Sequence, residues 1–429
     1  MTISLWAFTL VFVMSFAVRI PIAFGMVAAS VLYFLMEGLD LSTVTEVMVF
    51  GFKDKFVLLA VPLFIFTARV MNTGGITERI FAFAGSLVGH LRGGLGHVNV
   101  VASIIFSGMT GSAIADASGL GLMEIKAMDD AGYERPFSAA VTVASATIGP
   151  IIPPSIPMVI YAMLSGASVG SLFLGGVLPG LLMGVGLMAV IFIISRRRGY
   201  ERGRWPGVHG LARSFRKAFL SLMTPVILLG GIYSGAFTPT EAAAVAALYA
   251  LVLLVAVYRN FGLSEALSVV RDVVESTGFL GFIIAGAFIF GHVLALEQVP
   301  AKLADHVLGL TTDRIMLLLI LNILFLVLGC FIDTIVLLLV VVPMVLPAAQ
   351  AAGIDMVHLG VVLVMNMMIG LATPPFGMLL FTISGLTGTP LLKIIKEMWP
   401  FLAVLVGVLF LCTFWSGMVL WLPGLLNGG

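Results

Sequence analysis

Two short segments, each containing a pair of prolines, interrupt long apolar stretches in the two halves of the chain. They are Gly149-Pro-Ile-Ile-Pro-Pro-Ser155 and Gly370-Leu-Ala-Thr-Pro-Pro-Phe376. Proline has no backbone N–H and disfavours a helical residue before it, so a helix opens at such a segment. In hydrocarbon, opened backbone persists only where protein or a watery cavity satisfies the freed carbonyls. The sequence therefore predicts broken helices around a polar site.

The composition places the chain in a membrane. Of its 429 residues, 60% are hydrophobic and 10% are charged, whereas a soluble domain is about 25% charged. Apolar runs of about 20 residues recur from end to end and predict an all-α polytopic protein in a lipid bilayer. The ten-residue alternation of an outer-membrane barrel is absent. The net charge of +1 gives no indication of a nucleic-acid partner.

Shared landmarks indicate that the two halves are repeats. The proline pairs lie 221 positions apart, and two Gly-rich segments ending at Asp116 and Asp333 lie 217 apart. A basic cluster near the midpoint predicts a cytoplasmic linker. We therefore predict a first repeat over residues 1–195, a linker over 196–217 and a second repeat over 218–429.

The Gly-rich segments, around 108–116 and 329–333, predict the tips of re-entrant helical hairpins, because short apolar pieces flank them. Each segment carries an aspartate, and an acid inside a membrane is costly and by default functional. For the glycines alone, the alternative is a purely structural role, in which small residues let two helices pack closely.

Oxygen-rich chemistry at the tips and breaks suits a hard cation such as sodium. Thr110, Ser112 and Asp116 offer side-chain oxygens in the first tip, and Asp333 offers them in the second. From the breaks, we expect the side-chain contacts to come from Ser155 and Thr373. Backbone carbonyls would come from the breaks and the second tip, at Gly149, Ile152, Pro154, Gly329, Gly370 and Met378. Helix N-termini at the breaks would favour an anionic substrate group.

Five ordered motifs resemble the large membrane subunit of tripartite ATP-independent periplasmic (TRAP) transporters over essentially the whole chain. They are Ser107-Gly-Met-Thr-Gly-Ser-Ala-Ile-Ala-Asp116, the two proline breaks, Phe237-Thr-Pro-Thr-Glu-Ala-Ala-Ala244 and Phe331-Ile-Asp333. The resemblance implies an elevator-type ion-transporter fold in the bacterial inner membrane. It also implies sodium coupling, a small four-helix membrane subunit, a periplasmic substrate-binding protein and a carboxylate-bearing substrate.

The resemblance also implies two sodium sites and one substrate site. One sodium site matches Thr110, Ser112, Gly149, Ile152 and Pro154, the other matches Gly329, Asp333, Gly370, Thr373 and Met378, and substrate would contact Thr110, Ser155 and Asp333. Arg69 departs from the family pattern, since Ala68-Arg69 stands where Gly-Glu is frequent. From the sequence, Arg69 either contacts substrate or, as the simpler expectation, snorkels or pairs with an acid.

Two other functions fit parts of the pattern. Two membrane aspartates could form the dyad of an intramembrane protease, but the flanking Tyr-Asp and Gly-x-Gly-Asp patterns are missing and the proline breaks stay unexplained. A passive channel is the second alternative. No Gly-x-x-x-x-Gly-Lys-Ser/Thr motif is present, so the chain has no P-loop for ATP. We therefore expect a transporter component and not an enzyme. C4-dicarboxylates, sialic acids, other sugar acids and compatible solutes all remain open as substrates.

Overall fold

A computed structural model describes residues 2–53, 55–72, 75–258, 262–311 and 313–426. These residues form 22 α-helices, and an isolated bridge between Arg92 and Arg202 is their one β-type pairing. The predicted all-α class is therefore confirmed.

The first eleven helices run through the first half of the chain. They are α1 (Ile3–Ala17), α2 (Ile22–Glu37), α3 (Ser42–Phe50), α4 (Ala60–Met71), α5 (Ile76–Val88), α6 (Gly94–Thr110), α7 (Ala113–Ser118), α8 (Leu120–Asp130), α9 (Arg135–Ala146), α10 (Ile156–Ser165) and α11 (Val169–Arg198). A 3₁₀ turn, Phe56–Leu59, leads into α4.

The other eleven helices begin after the basic segment. They are α12 (Gly207–Tyr233), α13 (Pro239–Val252), α14 (Leu263–Leu296), α15 (Val299–Leu310), α16 (Arg314–Gly329), α17 (Thr334–Val340), α18 (Val342–Ala351), α19 (Met356–Leu371), α20 (Met378–Thr387), α21 (Leu391–Phe414) and α22 (Gly417–Leu426). A π-helical turn, Leu253–Tyr258, continues α13.

Five helical segments among the described residues are long and apolar enough to cross a membrane, and two bent pairs raise the number to seven. The five are α11, α12, α13 with its π turn, α14 and α21. One bent pair joins α4 to α5 at 76°, and the other joins α17 to α18 at 56°. The second bend lies beside Pro343, whose ring removes a helical donor. The chain is thus a multi-pass membrane protein.

The chain turns at both predicted tips. At the first, α6 ends at Thr110, Gly111 takes the left-handed conformation with φ +61°, and Ser112 caps α7. Glycine adopts that conformation without steric cost. At the second tip, α16 ends at Gly329 and the Asp333 side chain caps α17.

Both proline segments interrupt a helix, as predicted. The first separates α9 from α10 and the second separates α19 from α20, and each contains a cis Pro-Pro bond, at Pro153-Pro154 and Pro374-Pro375. The hydrophobic core lies around these helices, since every residue from His358 to Leu371 of α19 is buried. An apolar helix buried on all sides lies at the centre of its bundle.

Buried asparagines join each hairpin to the neighbouring broken helix. In the first half, Asn99 of α6 donates to Thr142 Oγ1 (2.7 Å) and accepts from Ser145 Oγ (2.7 Å), both on α9. In the second half, Asn366 of α19 donates to Asn322 Oδ1 of α16 (2.7 Å). Hydrogen bonds of this kind hold helices together where lipid removes the hydrophobic driving force between them. These asparagines were not among the residues predicted from the sequence.

Candidate functional site

A cavity of about 680 Å³ lies where the two hairpin tips and the first broken helix meet. Its walls come from the α6–α7 tip, the α9–α10 break, the α16–α17 tip, the end of α19, one face of α14, the C-terminal part of α4 and the first turn of α5. The volume is within the range of small-molecule sites. Helix ends and broken backbone thus converge on a space large enough for a small solute.

The first tip presents hydroxyls to the cavity and hides its acid behind them. Thr110 and Ser112 line the cavity, whereas Asp116 is 2% exposed and lies in the wall behind it. Thr110 Oγ1 donates to Asp116 Oδ1. The other oxygen, Oδ2, has no hydrogen-bond partner among the described residues. A Cβ placed on Gly149 would lie 2.3 Å from that oxygen, so the opened end of α9 runs directly past the carboxyl group.

The first break also meets the first tip through its backbone. A Cβ on Gly111 would lie 2.6 Å from the carbonyl oxygen of Pro154, so these two segments are in close apposition. The structure therefore brings together four of the predicted first-site residues, Thr110, Ser112, Gly149 and Pro154. The fifth, Ile152, directs its side chain towards Gly180 of α11.

Ser155, predicted as a substrate contact, is fully buried and does not line the cavity. Its hydroxyl donates to the Pro150 carbonyl and accepts from Met158 N–H (3.2 Å), so it caps α10. The side chain thus holds the break in shape. A role in contacting substrate stays a prediction.

The second tip packs backbone to backbone against α19. A Cβ on Gly370 would lie 2.7 Å from the carbonyl carbon of Gly329, so no side chain fits between these two predicted cation ligands. The half-buried Asp333 lines the cavity and accepts from Ile335 N–H (2.9 Å). Thr373, in the break after α19, donates from Oγ1 back to Ile369 O of that helix (2.7 Å).

Met378, predicted to lend its carbonyl to the second site, begins α20 and is 43% exposed. Neither Met378 nor Thr373 lines the cavity. The break is nevertheless tied to the tip, because Gly377 N–H donates to Cys330 O (3.2 Å). The structure thus brings together Gly329, Gly370 and the segment around Asp333, with Thr373 one turn away.

Several polar residues at the site, or buried in α8 beside the first tip, were not predicted from the sequence. Asn72, Glu78 and Ser276 line the cavity, and Glu124 of α8 is 1% exposed with Oε1 unpartnered among the described residues. An acid within a largely apolar segment was the available signal for Glu124.

Arg69 follows the simpler expectation from the sequence, since it pairs with an acid, Asp272 of α14, at 3.5 Å.

Within the described residues, no group of three or more His, Cys, Asp or Glu side chains is arranged to hold a metal ion. The predicted ligand sets instead consist of carbonyl and hydroxyl oxygens with one carboxylate. Such neutral oxygen ligands suit a monovalent hard cation in a broken-helix site.

Thr110→Val is expected to destabilise the first tip. Valine has nearly the same shape as threonine but lacks the hydroxyl, which is the one that donates to the buried Asp116 carboxyl group among the described residues. The expected cost is about 1–3 kcal/mol in the free energy of unfolding. Thermal unfolding of the detergent-solubilised protein measures the change. Thr110→Ser is the matched control, because it keeps the donor and should unfold close to wild type. Equal stability of the valine variant would contradict the assigned hydrogen bond.

Helices of membrane-spanning length around a cavity that carries hydroxyls and charged side chains, with interrupted helices at its wall, define a multi-pass membrane transport protein. Residues 8–418 match the family described as "Tripartite ATP-independent periplasmic transporter, DctM component". The chain belongs to this family.

Two curated relatives agree with this assignment. The chain is 44% identical to the sialic acid TRAP transporter large permease protein SiaM of Vibrio cholerae over 408 residues, which are 95% of this chain and 96% of the relative. It is 42% identical to the C4-dicarboxylate TRAP transporter large permease protein DctM of Pseudomonas aeruginosa over 378 residues, 88% of each chain. These relatives are transporter permeases, so the chain is a permease component and not an enzyme.

A solved structure shares the fold. The YdaH transporter of Alcanivorax borkumensis superposes with a TM-score of 0.58 over 83% of this chain and 85% of that one, at 15% sequence identity. The likeness supports the all-α architecture alone.

Proposed function

We propose that the chain is the large transmembrane subunit of a sodium-coupled, binding-protein-dependent secondary transporter of the bacterial inner membrane. It imports a carboxylate-bearing small solute by an elevator movement. The observation that carries the proposal is the cavity of about 680 Å³ that both hairpin tips and a broken helix share. In known transporter folds, substrate and coupling ions bind between broken helices near the midplane.

The close approaches of backbone support two sodium sites. In the first, Thr110 and Ser112 hydroxyls lie beside the segments of Gly149 and Pro154, next to the free oxygen of Asp116. In the second, Gly329 and Gly370 are in backbone contact, and Asp333 follows Gly329 by four residues along the second tip. We assign the first ion to Thr110, Ser112, Gly149, Ile152 and Pro154, and the second to Gly329, Asp333, Gly370, Thr373 and Met378. Substrate lies between the tips, near Thr110, Ser155 and Asp333.

Matching contacts in the two halves support an internal duplication over residues 1–195 and 218–429, joined by 196–217. Asn99 and Asn322 lie 223 positions apart, close to the 221 of the cis Pro-Pro pairs, and both join a hairpin to its broken helix.

The packing of the helices also supports an elevator movement. Helix α2 packs against both α1 and α14, while α9 and α19 pack with the hairpin helices and α21. The second set is the moving unit, and the cavity lies at its edge.

The relatives' names support the substrate class and the partners. Sialic acid and C4-dicarboxylates both carry carboxylates, and both relatives are called large permease proteins. We therefore assign a small four-helix membrane subunit and a periplasmic binding protein as partners. The family's description as periplasmic and ATP-independent fits delivery from the periplasm and an ion gradient as the energy source.

Uptake into vesicles tests the proposal. Proteoliposomes containing this chain and its small subunit, supplied with the binding protein and a panel that includes succinate and N-acetylneuraminate, should accumulate one carboxylate under an inward sodium gradient. Replacing sodium by potassium should abolish the accumulation, and omitting the binding protein should do the same. Uptake that continued unchanged in potassium would overturn sodium coupling. Conductance without accumulation would indicate a channel.

A further inference from the structure

Arg69 is the one cation among the described residues that line the cavity, which also include the acids Glu78 and Asp333. It lies in the last turn of α4, on the wall formed by α4 and α14 and not on either hairpin tip. A carboxylate entering the cavity is repelled by the acids and attracted by this guanidinium. The position of Arg69 therefore decides which end of an anionic substrate faces this wall.

The ion pair between Arg69 and Asp272 is long and exposed, so Arg69 can exchange Asp272 for a substrate carboxylate. Arg69 Nη1 lies 3.5 Å from Asp272 Oδ2, longer than the 2.7–2.9 Å typical of a charge-assisted hydrogen bond. The two side chains are 47% and 42% exposed. Ion pairs between exposed side chains contribute little to stability. A guanidinium has five donors in a planar fork, so it can bind a carboxylate in a bidentate way while it stays near Asp272.

From this arrangement we infer that Arg69 binds the carboxylate of the transported solute and that Asp272 holds the guanidinium in place when the cavity is empty. The inference rests on the proposed function, since it assigns a specificity-determining residue to the same site. The hairpin tips supply the hydroxyls of Thr110 and Ser112 on the other walls. The substrate thus spans the cavity, with its anionic end at α4 and its remaining polar groups at the tips.

Arg69→Gln tests the inference through the apparent KM of uptake. Losing the charged donor should raise the KM for the transported carboxylate about tenfold or more, with little change in maximal rate. Arg69→Lys keeps the charge but not the fork, so its KM should be intermediate. Asp272→Asn removes the competing carboxylate and should leave KM unchanged or lower it. This last variant keeps the inference testable if Arg69→Gln does not fold.

Replacing the substrate's carboxylate by a neutral amide or ester tests the contact with Arg69 separately from the rest of the site. Wild type should discriminate strongly between succinate and succinamate, or between N-acetylneuraminate and its methyl ester, whichever acid it transports. The Arg69→Gln variant should lose that discrimination, because it lacks the guanidinium that distinguishes the charged carboxylate from the neutral amide or ester. A purely structural role for Arg69 would lower the amount of folded protein but keep the preference.

Helix α14 offers a matched control beside Asp272. Arg271 and Glu275 form an ion pair of 2.8 Å between side chains that are 79% and 63% exposed, and neither lines the cavity. Arg271→Gln and Glu275→Gln should therefore keep the wild-type KM. A KM for Arg69→Gln within twofold of wild type, together with unchanged discrimination, would overturn the inference and leave the proposed function intact. Failure of wild type to accumulate any carboxylate would instead overturn the proposed function.

Discussion

Gly370→Ala is expected to reduce uptake by about tenfold or more. The new Cβ would lie 2.7 Å from the carbonyl carbon and 2.8 Å from the Cα of Gly329, and these are backbone atoms that cannot turn aside. The second tip would have to separate from α19, which displaces the carbonyls assigned to the second sodium ion and the nearby Asp333. Initial uptake rates measured against sodium concentration should therefore show a raised sodium requirement as well as a lower rate.

The control for this prediction is another helical glycine in the same half. Gly407 of α21 has open space around its Cα, so an added Cβ meets no atom within 4 Å. Gly407→Ala should transport like wild type, since alanine is at least as good a helix former as glycine. Wild-type uptake and sodium dependence in Gly370→Ala would show that the tip can separate from α19 without loss of the ion site. That result would remove Gly329 and Gly370 from the proposed sodium ligands.

The sequence predicted those parts of the fold that local backbone chemistry determines. Paired prolines end a helix wherever they stand, so the breaks at α9–α10 and α19–α20 lie where the sequence places them. The Gly-rich segments mark the tips, and the structure adds that Asp333 caps α17 at the second one. Thr110 and Asp333 could be assigned to the cavity because both belong to these local signals.

What the sequence did not predict depends on contacts between distant segments. Asp272 lies 203 positions after Arg69, and no local pattern indicates which acid an isolated arginine will meet. The Asn366–Asn322 hydrogen bond likewise forms only when α16 and α19 pack together. The family resemblance implied that Ser155 contacts substrate, and only the packed structure shows that its hydroxyl hydrogen-bonds to Pro150 O and Met158 N–H at the start of α10. Residue type shows what a side chain can do, and packing determines which partner it meets.

Asp333→Asn is expected to reduce uptake about 10- to 100-fold while leaving folded protein in the membrane. Asparagine caps a helix about as well as aspartate, so the hydrogen bond from Ile335 N–H is kept and α17 should start at the same residue. The charge, however, is lost from the cavity wall and from the proposed second sodium site. Asp333→Ala removes both the cap and the charge. Uptake rate, together with thermal unfolding of each variant, separates the two contributions.

Asp355 provides the matched control, because it caps α19 in the same way but is exposed and does not line the cavity. Its Oδ1 accepts from Val357 N–H (2.8 Å) and His358 N–H (2.9 Å). Asp355→Asn therefore makes the same chemical change at an equivalent cap and should leave uptake unaltered. Normal uptake by Asp333→Asn would remove the carboxylate from the transport site and reduce Asp333 to a helix cap. Loss of uptake in Asp333→Asn but not in Asp355→Asn, with both variants unfolding like wild type, would assign the effect to the charge in the cavity, since asparagine keeps the cap at both positions.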